Sequence, residues 1–283
     1  MTMAWTRSGR VIAGLVLVVL VAACAAFAPW LARHDPAEQD LLAVLLPPSF
    51  LRGGDVAYFL GTDSLGRDNW ARVLFGARTA LTVAVLASAG AAVLGTIMAH
   101  LAGYLGGGVD WVISRIVEIW MSFPPVVLSL ILMVGLGGGL DKVIYAIILV
   151  DWTRFCRVLR SEVVQVTRRD YVTAARLSGY SHARTLLREV FPATLPLIIT
   201  LVSLEMGIAV VVEAILSFVG LGVGASVPAW GQMIADARQN VADAPYGLLL
   251  PMAAVFLAVA GFNLLGDGLR RTLDLRLVER GRP

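Results

Sequence analysis

The carboxylates of a very apolar chain are the first places to look for chemistry. Glu205 and Glu213 lie inside one long apolar run. Each would cost roughly 2.5–3.5 kcal/mol at the centre of a bilayer, so each must face protein or water. Two answers fit: a hydrogen bond to a neighbouring helix, or a place in a polar path across the membrane. Glu118 and Ser122 stand in another apolar run, just before Pro124-Pro125. That proline pair should break or kink a helix and free backbone carbonyls, and such irregular backbone packs in protein or lines water. Glu118, Ser122, Glu205 and Glu213 are therefore the candidates for a path. Covalent chemistry has no comparable footing. Lys142, the only lysine, is flanked by Asp141 and Val143, not by the glycines of a phosphate-binding loop, and neither H-E-x-x-H nor G-x-S-x-G occurs. His100 reads as a satisfied interface residue. Cys24 and Cys156 fall at different depths, too far apart for a disulfide, and two lone cysteines suggest no metal site.

The elements that must carry these residues follow from composition. Of 283 residues, 58% are hydrophobic and 15% charged, against about 25% charged in a soluble domain, which makes this a membrane protein. Spanning runs occur at about Val11–Leu31, Thr79–Gly103, Val112–Val134, Val143–Phe155, Thr194–Val219 and Gly247–Leu265. Open sheets cannot exist in lipid, so the expected fold is an all-α polytopic bundle of about six transmembrane helices. The fourth run is short and needs Leu140 and Cys156 as its edges. Ala87, Ala91, Gly95, Ala99 and Gly103 put a small residue at every fourth position of the second span, which lets another helix approach closely. No second domain or internal repeat is visible.

Arginines set the orientation. The stretch after the fourth run carries Arg154, Arg157, Arg160, Arg168, Arg169, Arg176, Arg184 and Arg188 against Glu162, Asp170 and Glu189; the tail carries Arg270, Arg271, Arg276, Arg280 and Arg282 against Asp274 and Glu279; Arg7 and Arg10 precede the first run without an acid. By the positive-inside rule all three face the cytoplasm, and the near-balanced loop from Ala32 to Arg78 lies outside. The net charge of +3 therefore reports topology and not nucleic-acid binding. Arg7 and Arg10 before Val21-Ala22-Ala23-Cys24 also fit a signal peptide, but the run continues to Leu31 and is long enough to span.

Between the fourth and fifth runs lies a polar segment, Asp170 to Pro196. Asp170 can cap a helix from Tyr171 to Ser178, and Gly179 stands where a left-handed residue would end it. Ser181 can cap a second helix that runs to Phe191 and meets Pro192. Ala174 and Ala175 leave one face of the first helix nearly flat, suited to a groove on another protein.

This segment resembles the "EAA" loop of bacterial ABC-importer permeases, in which a short coupling helix docks on the ATPase subunit. Thr173-Ala174-Ala175, Gly179, Pro192 and Pro196 fall at that motif's places, while Thr173, Glu189 and Ala193 replace the usual Glu, His and Asn. A Glu at 173 would sit at the third helical position and could close a capping box; threonine is too short for that. The run from Gly61 to Leu81, GTDSLGRDNWARVLFGARTAL, reads on its own as a turn followed by an amphipathic segment at the outer surface. Its pattern G-T-D-x-x-G-R-D, R, G-A-R is similar to the segment before the second span in the dipeptide, oligopeptide and nickel importer family, in the second (C-type) permease. Glu213 opens EAILSFVGLGV, Pro228-Ala229-Trp230-Gly231 matches P-x-W-G with Trp230 expected at the membrane interface, and FNLLGDGLRRTLDLRL resembles the family's end, apart from Arg271 and Leu275.

The resemblance runs from about Leu60 to Leu277 and implies a type I importer (MetI-like) fold in the bacterial inner membrane. Its parts would be residues 1–78, a first helix with an external loop; 79–277, the core with a coupling loop at 154–192; and 278–283, a cytoplasmic tail. The ATPase-coupling residues would be Asp170, Tyr171, Thr173, Ala174, Ala175, Arg176 and Gly179. The implied partners are a second homologous permease, two ABC ATPase subunits and an external substrate-binding protein. This chain would hold no cofactor, ATP and Mg being bound by the ATPases. Two other classes need other features: a secondary transporter wants ion sites in broken helices and an internal repeat, and an intramembrane enzyme wants a nucleophile paired with a base.

Overall fold

The computed structural model describes residues 9–224 and 226–280, with side chains to residue 270. Arg7, Arg271, Asp274, Leu275, Arg276, Leu277, Glu279, Arg280 and Arg282, used above for orientation and resemblance, lie outside the described side chains. Ten α-helices follow in order among the described residues: α1 Gly9–Leu31, α2 Asn69–Leu105, α3 Gly107–Met121, α4 Pro125–Leu136, α5 Leu140–Thr167, α6 Asp170–Leu177, α7 His182–Thr185, α8 Phe191–Phe218, α9 Trp230–Ala237 and α10 Pro245–Arg280. The fold is all-α, as expected, and no strand occurs among the described residues.

Among the described residues four rods are long and apolar enough to cross a bilayer: α1, α2, His182–Phe218 and Pro245–Arg270 of α10. The α3–α4 pair makes a fifth, bent by 88° where Pro124 removes a donor and Pro125 opens the next helix. Ser122 answers the break: its hydroxyl donates to the carbonyls of Glu118 (2.8 Å) and Ile119 (2.9 Å). The sixth crossing is α5. Composition alone does not mark it, because Asp151, Arg154, Arg157 and Arg160 interrupt it. Register does. A Cβ on Gly90 would meet Ile148, one on Gly95 Phe155 and Trp152, and one on Gly103 Val163. Contacts thus advance together along both helices, so α5 runs parallel to α2 and crosses with it. Ala87, Ala91 and Ala99 are fully buried, and the expected small-residue stripe is this seam. In the same way Gly14 meets Leu265, and Gly268 meets Val11, which sets α10 antiparallel to α1.

Three boundaries differ from the sequence reading. Span α2 begins ten residues before Thr79, at Asn69, because Asp68 caps it by accepting from the Trp70 amide (2.9 Å). The segment from Gly61 is therefore not an amphipathic strip on the surface: Arg67 and Arg72 are buried. Asp63 accepts from both, Asp236 of α9 lies 2.9 Å from Arg67 and 3.6 Å from Arg72, and the charges balance. Residues 154–167 and 182–192 are helical, which shrinks the connecting loop from 154–192 to the turns around α6. Trp230, expected at an interface, is inside the protein, only 2% exposed. Gly76 leaves it room, since a Cβ there would stand 2.6 Å from the indole, and its N–H donates to the Val73 carbonyl at 3.0 Å.

The seam predicts a sharp contrast between glycines. Gly95→Val should lower the melting temperature in detergent, an overpacking loss of about 1–3 kcal/mol or more. Gly108→Ala, where an added Cβ meets nothing within 4 Å, should leave it unchanged or raised.

The candidate coupling segment and the intramembrane charges

Helix α6 has one buried anchor, and its other side chains stand clear. Val172 is fully buried with Val163, Val166 and Val190, so α6 sits on the ends of α5 and the π-helical turn Leu186–Val190. The sequence reading missed this anchor, although a lone valine between polar residues was its visible signal. Tyr171, Thr173, Ala174, Arg176 and Gly179 are exposed, Ala175 is half-buried, and Leu177 is 85% exposed. The expected coupling residues are therefore accessible on one short helix and its closing turn, and Leu177 is exposed beside them.

The ends of α6 follow their local chemistry with one correction. Arg169, not Asp170, is the N-cap: the amides of Val172 and Thr173 donate to its carbonyl (3.0 and 3.2 Å). Asp170 is the first helical residue, where its charge still favours the helix dipole. Thr173 then falls at the fourth helical position, so a Glu there would not close a capping box with Asp170. At the other end the amides of Gly179 and Tyr180 donate to the carbonyls of Arg176 (3.1 Å) and Ala175 (3.2 Å), the two bonds of a Schellman close. Gly179 holds φ +89°, a region costly to any residue with a Cβ.

Ser181 caps the next helix as expected, accepting from the Arg184 amide at 3.3 Å. That helix does not stop at Pro192. It widens into the π turn and continues as α8, the prolines falling in its first two turns. Pro192 lacks the N–H that the carbonyl four residues back would accept, and the wider turn lies just before it. His100 of α2 holds the junction, with Nδ1 2.8 Å from the Thr96 carbonyl and Nε2 3.1 Å from the Thr194 hydroxyl. It is the satisfied interface residue the sequence suggested. Tyr104, one turn on, lies 3.4 Å from His182.

The four path candidates do not converge. Glu118 is exposed and pairs with Arg115. With Ser122 it lines a cavity of about 330 Å3 between α3 and α5, beside Arg157 and Arg160. Glu213 is buried elsewhere on α8, accepting from the Ser217 hydroxyl at 2.6 Å. Glu205 is also buried, and Arg154 of α5 donates to it at 3.0 Å. Both intramembrane acids thus face protein. Arg154 was counted above only for orientation, and Asp151, one turn before it, escaped notice; an acid and an arginine three apart inside an apolar run was the available signal.

Residues 91–279 match the family described as "Binding-protein-dependent transport system inner membrane component", and residues 6–48 match the "N-terminal TM domain of oligopeptide transport permease C". The chain is 36% identical to the "Dipeptide transport system permease protein DppC" of Alkalihalophilus pseudofirmus, over 94% of this chain and 86% of that one. It is 37% identical to the di/tripeptide permease DppC of Pseudomonas aeruginosa, over 93% and 87%. It is also 37% identical to the "Nickel transport system permease protein NikC" of Escherichia coli K12, over 93% of each.

The anchor of α6 generates a local prediction. Val172→Ala removes two buried methyl groups, a loss of roughly 1–3 kcal/mol. Hydrogen exchange should show α6 amides losing protection while those of α2 and α5 keep theirs.

Proposed function

This chain belongs to the family of binding-protein-dependent inner-membrane transport components, and we propose that it forms half of an import path for peptides or a related small solute such as a nickel complex. The other half is a second, homologous permease. Two ATPase subunits bind ATP and Mg and drive the cycle, and an external binding protein delivers the solute. The names of the relatives, dipeptide, di/tripeptide and nickel permeases, support that range of solutes. The arginine distribution supports placing both termini and α6 in the cytoplasm.

The observation that carries the mechanism is the construction of α6. A helix of eight residues, pinned by a single valine and closed by a left-handed glycine, presents Tyr171, Thr173, Ala174, Arg176 and Leu177 outward. It joins α5 directly to the α7–α8 rod. A nucleotide-driven movement of an ATPase groove holding α6 would reach both helices without covalent chemistry in this chain. Ala174 and Ala175 let a groove wall approach closely, Leu177 fills a pocket in it, and Glu118, Ser122, Glu205 and Glu213 serve the path.

Purification of the assembled importer tests this. Ala175→Glu and Gly179→Arg should leave the spans folded but lose the ATPase subunits on co-purification, and with them hydrolysis stimulated by loaded binding protein. Two bulky variants that both stay fully coupled would reduce α6 to a connector. Reporter fusions at Asp170 and Pro283 should both read as cytoplasmic, and an external signal at either overturns the orientation.

A further inference from the structure

The geometry points to a subsite for the ammonium group of a solute in transit, formed by the Asp151–Arg154–Glu205 cluster and the cavity beside it. It rests on the import reading above and adds to it the chemical group recognised within the membrane. Arg154 Nη1 donates to Glu205 Oε2 at 3.0 Å, and Nη2 lies 3.4 Å from Asp151 Oδ1. Two carboxylates therefore share one guanidinium. Among the described residues no other basic side chain pairs with either acid. Glu205 is 2% and Asp151 3% exposed, and their two carboxyl groups lie within hydrogen-bond reach of one another. With both acids ionised the cluster lacks one positive charge.

Its depth makes that shortfall costly. Asp151 stands about 17 Å along α5 from Leu140, near the middle of a bilayer-spanning rod. Beside it lies a cavity of about 360 Å3 where α4, α5, α8 and α10 meet, lined among others by Asp151, Arg154, Asn263, Pro125, Gly207 and Val211. The cavity starts at the α3–α4 break, the kind of interrupted helix at which membrane transporters hold their cargo. Gly207 keeps it open, since a Cβ there would come within 3.2 Å of Asn263 Oδ1. One side is uncovered: the Arg154 side chain is 35% exposed, and Pro125 and Asn263 are exposed. A guanidinium at this depth does not face hydrocarbon, so that side meets water or the partner permease.

The walls select by charge. An anion reaching Arg154 would meet Asp151 and displace a bond to Glu205. A cation approaching Asp151 supplies what the cluster lacks, and an ammonium can donate several hydrogen bonds. Val211, Val212 and Ile208 give the apolar surface for the rest of a small solute. A bound proton would also balance the charge, and a glutamine at 205 mimics that state permanently.

The test uses proteoliposomes holding the whole importer with its binding protein, and alanyl-alanine as probe. Uptake by the wild type is read first, and its absence would refute the peptide reading itself. Given that uptake, Asp151→Asn should lower it about tenfold or more, the loss expected when a charged hydrogen bond to the passing group goes, and Glu205→Gln, which acts on the cavity through Arg154, should lower it as well. Asp151→Glu, which keeps the charge, should recover part of it. Co-purification of the four kinds of subunit reports assembly for each variant. Unchanged uptake in Glu205→Gln would mean that a proton alone completes the cluster, and would overturn the inference. Failure of both neutral variants to assemble would assign the cluster to packing and overturn it equally.

Discussion

Lipid tails are as apolar as leucine, so helices in a membrane are not driven together by hydrophobicity, and α2 and α5 depend on how closely their backbones can approach. Ala87, Ala91, Gly95 and Ala99 provide that approach, and Phe155, Trp152 and Val163 fill what it leaves. The consequence reaches further than two helices. Because α5 is held along α2, its charged stretch can be enclosed by α3 and α8, and Asp110 of α3 takes Arg160 with Nη2 2.5 Å from Oδ2. A helix that composition would exclude from the membrane is carried across it by its neighbour.

The same constraint decides what could be read from the sequence. Features set by local backbone chemistry were legible: the break at Pro124-Pro125, the left-handed turn at Gly179, the cap at Ser181 and the small-residue seam. Features set by partners distant in sequence were not. Trp230 lies inside because Gly76, more than 150 positions earlier, leaves a space for its ring, and no periodicity records that. Arg67 and Arg72 are buried because Asp236 arrives from α9. The N-cap of α6 moved by one residue because the Arg169 carbonyl already accepts the first turn's amides, a difference that propensity at Asp170 does not register.

The path candidates show where reading by type reaches its limit. An acid in an apolar run announces that it must be paired, but not with what. Glu205 and Glu213 lie two helical turns apart on α8, yet one is tied to an arginine of another helix and the other to a serine of its own. The difference between them is supplied by α5. Arg154 does two jobs that the sequence separates poorly: it adds to the positive count near the α6 end, and it joins α5 to α8 at mid-depth.

That second role connects α6 to the interior. A displacement of α6 bears on α5 through Val163 and Val166, and on the α7–α8 rod through Val190. The π turn at Leu186–Val190 is the least regular part of that rod, and His100 and Tyr104 tether its two sides to α2. A shift that α2 resists at this junction would be taken up between α5 and α8. Arg154 to Glu205 is a side-chain bond that joins those two helices at depth. Moving α5 against α8 by even 1 Å would lengthen a 3.0 Å charged hydrogen bond past its useful range. The pair is therefore placed where a motion begun at α6 would alter the charge balance of the cavity, and mechanical coupling and solute release would share one contact.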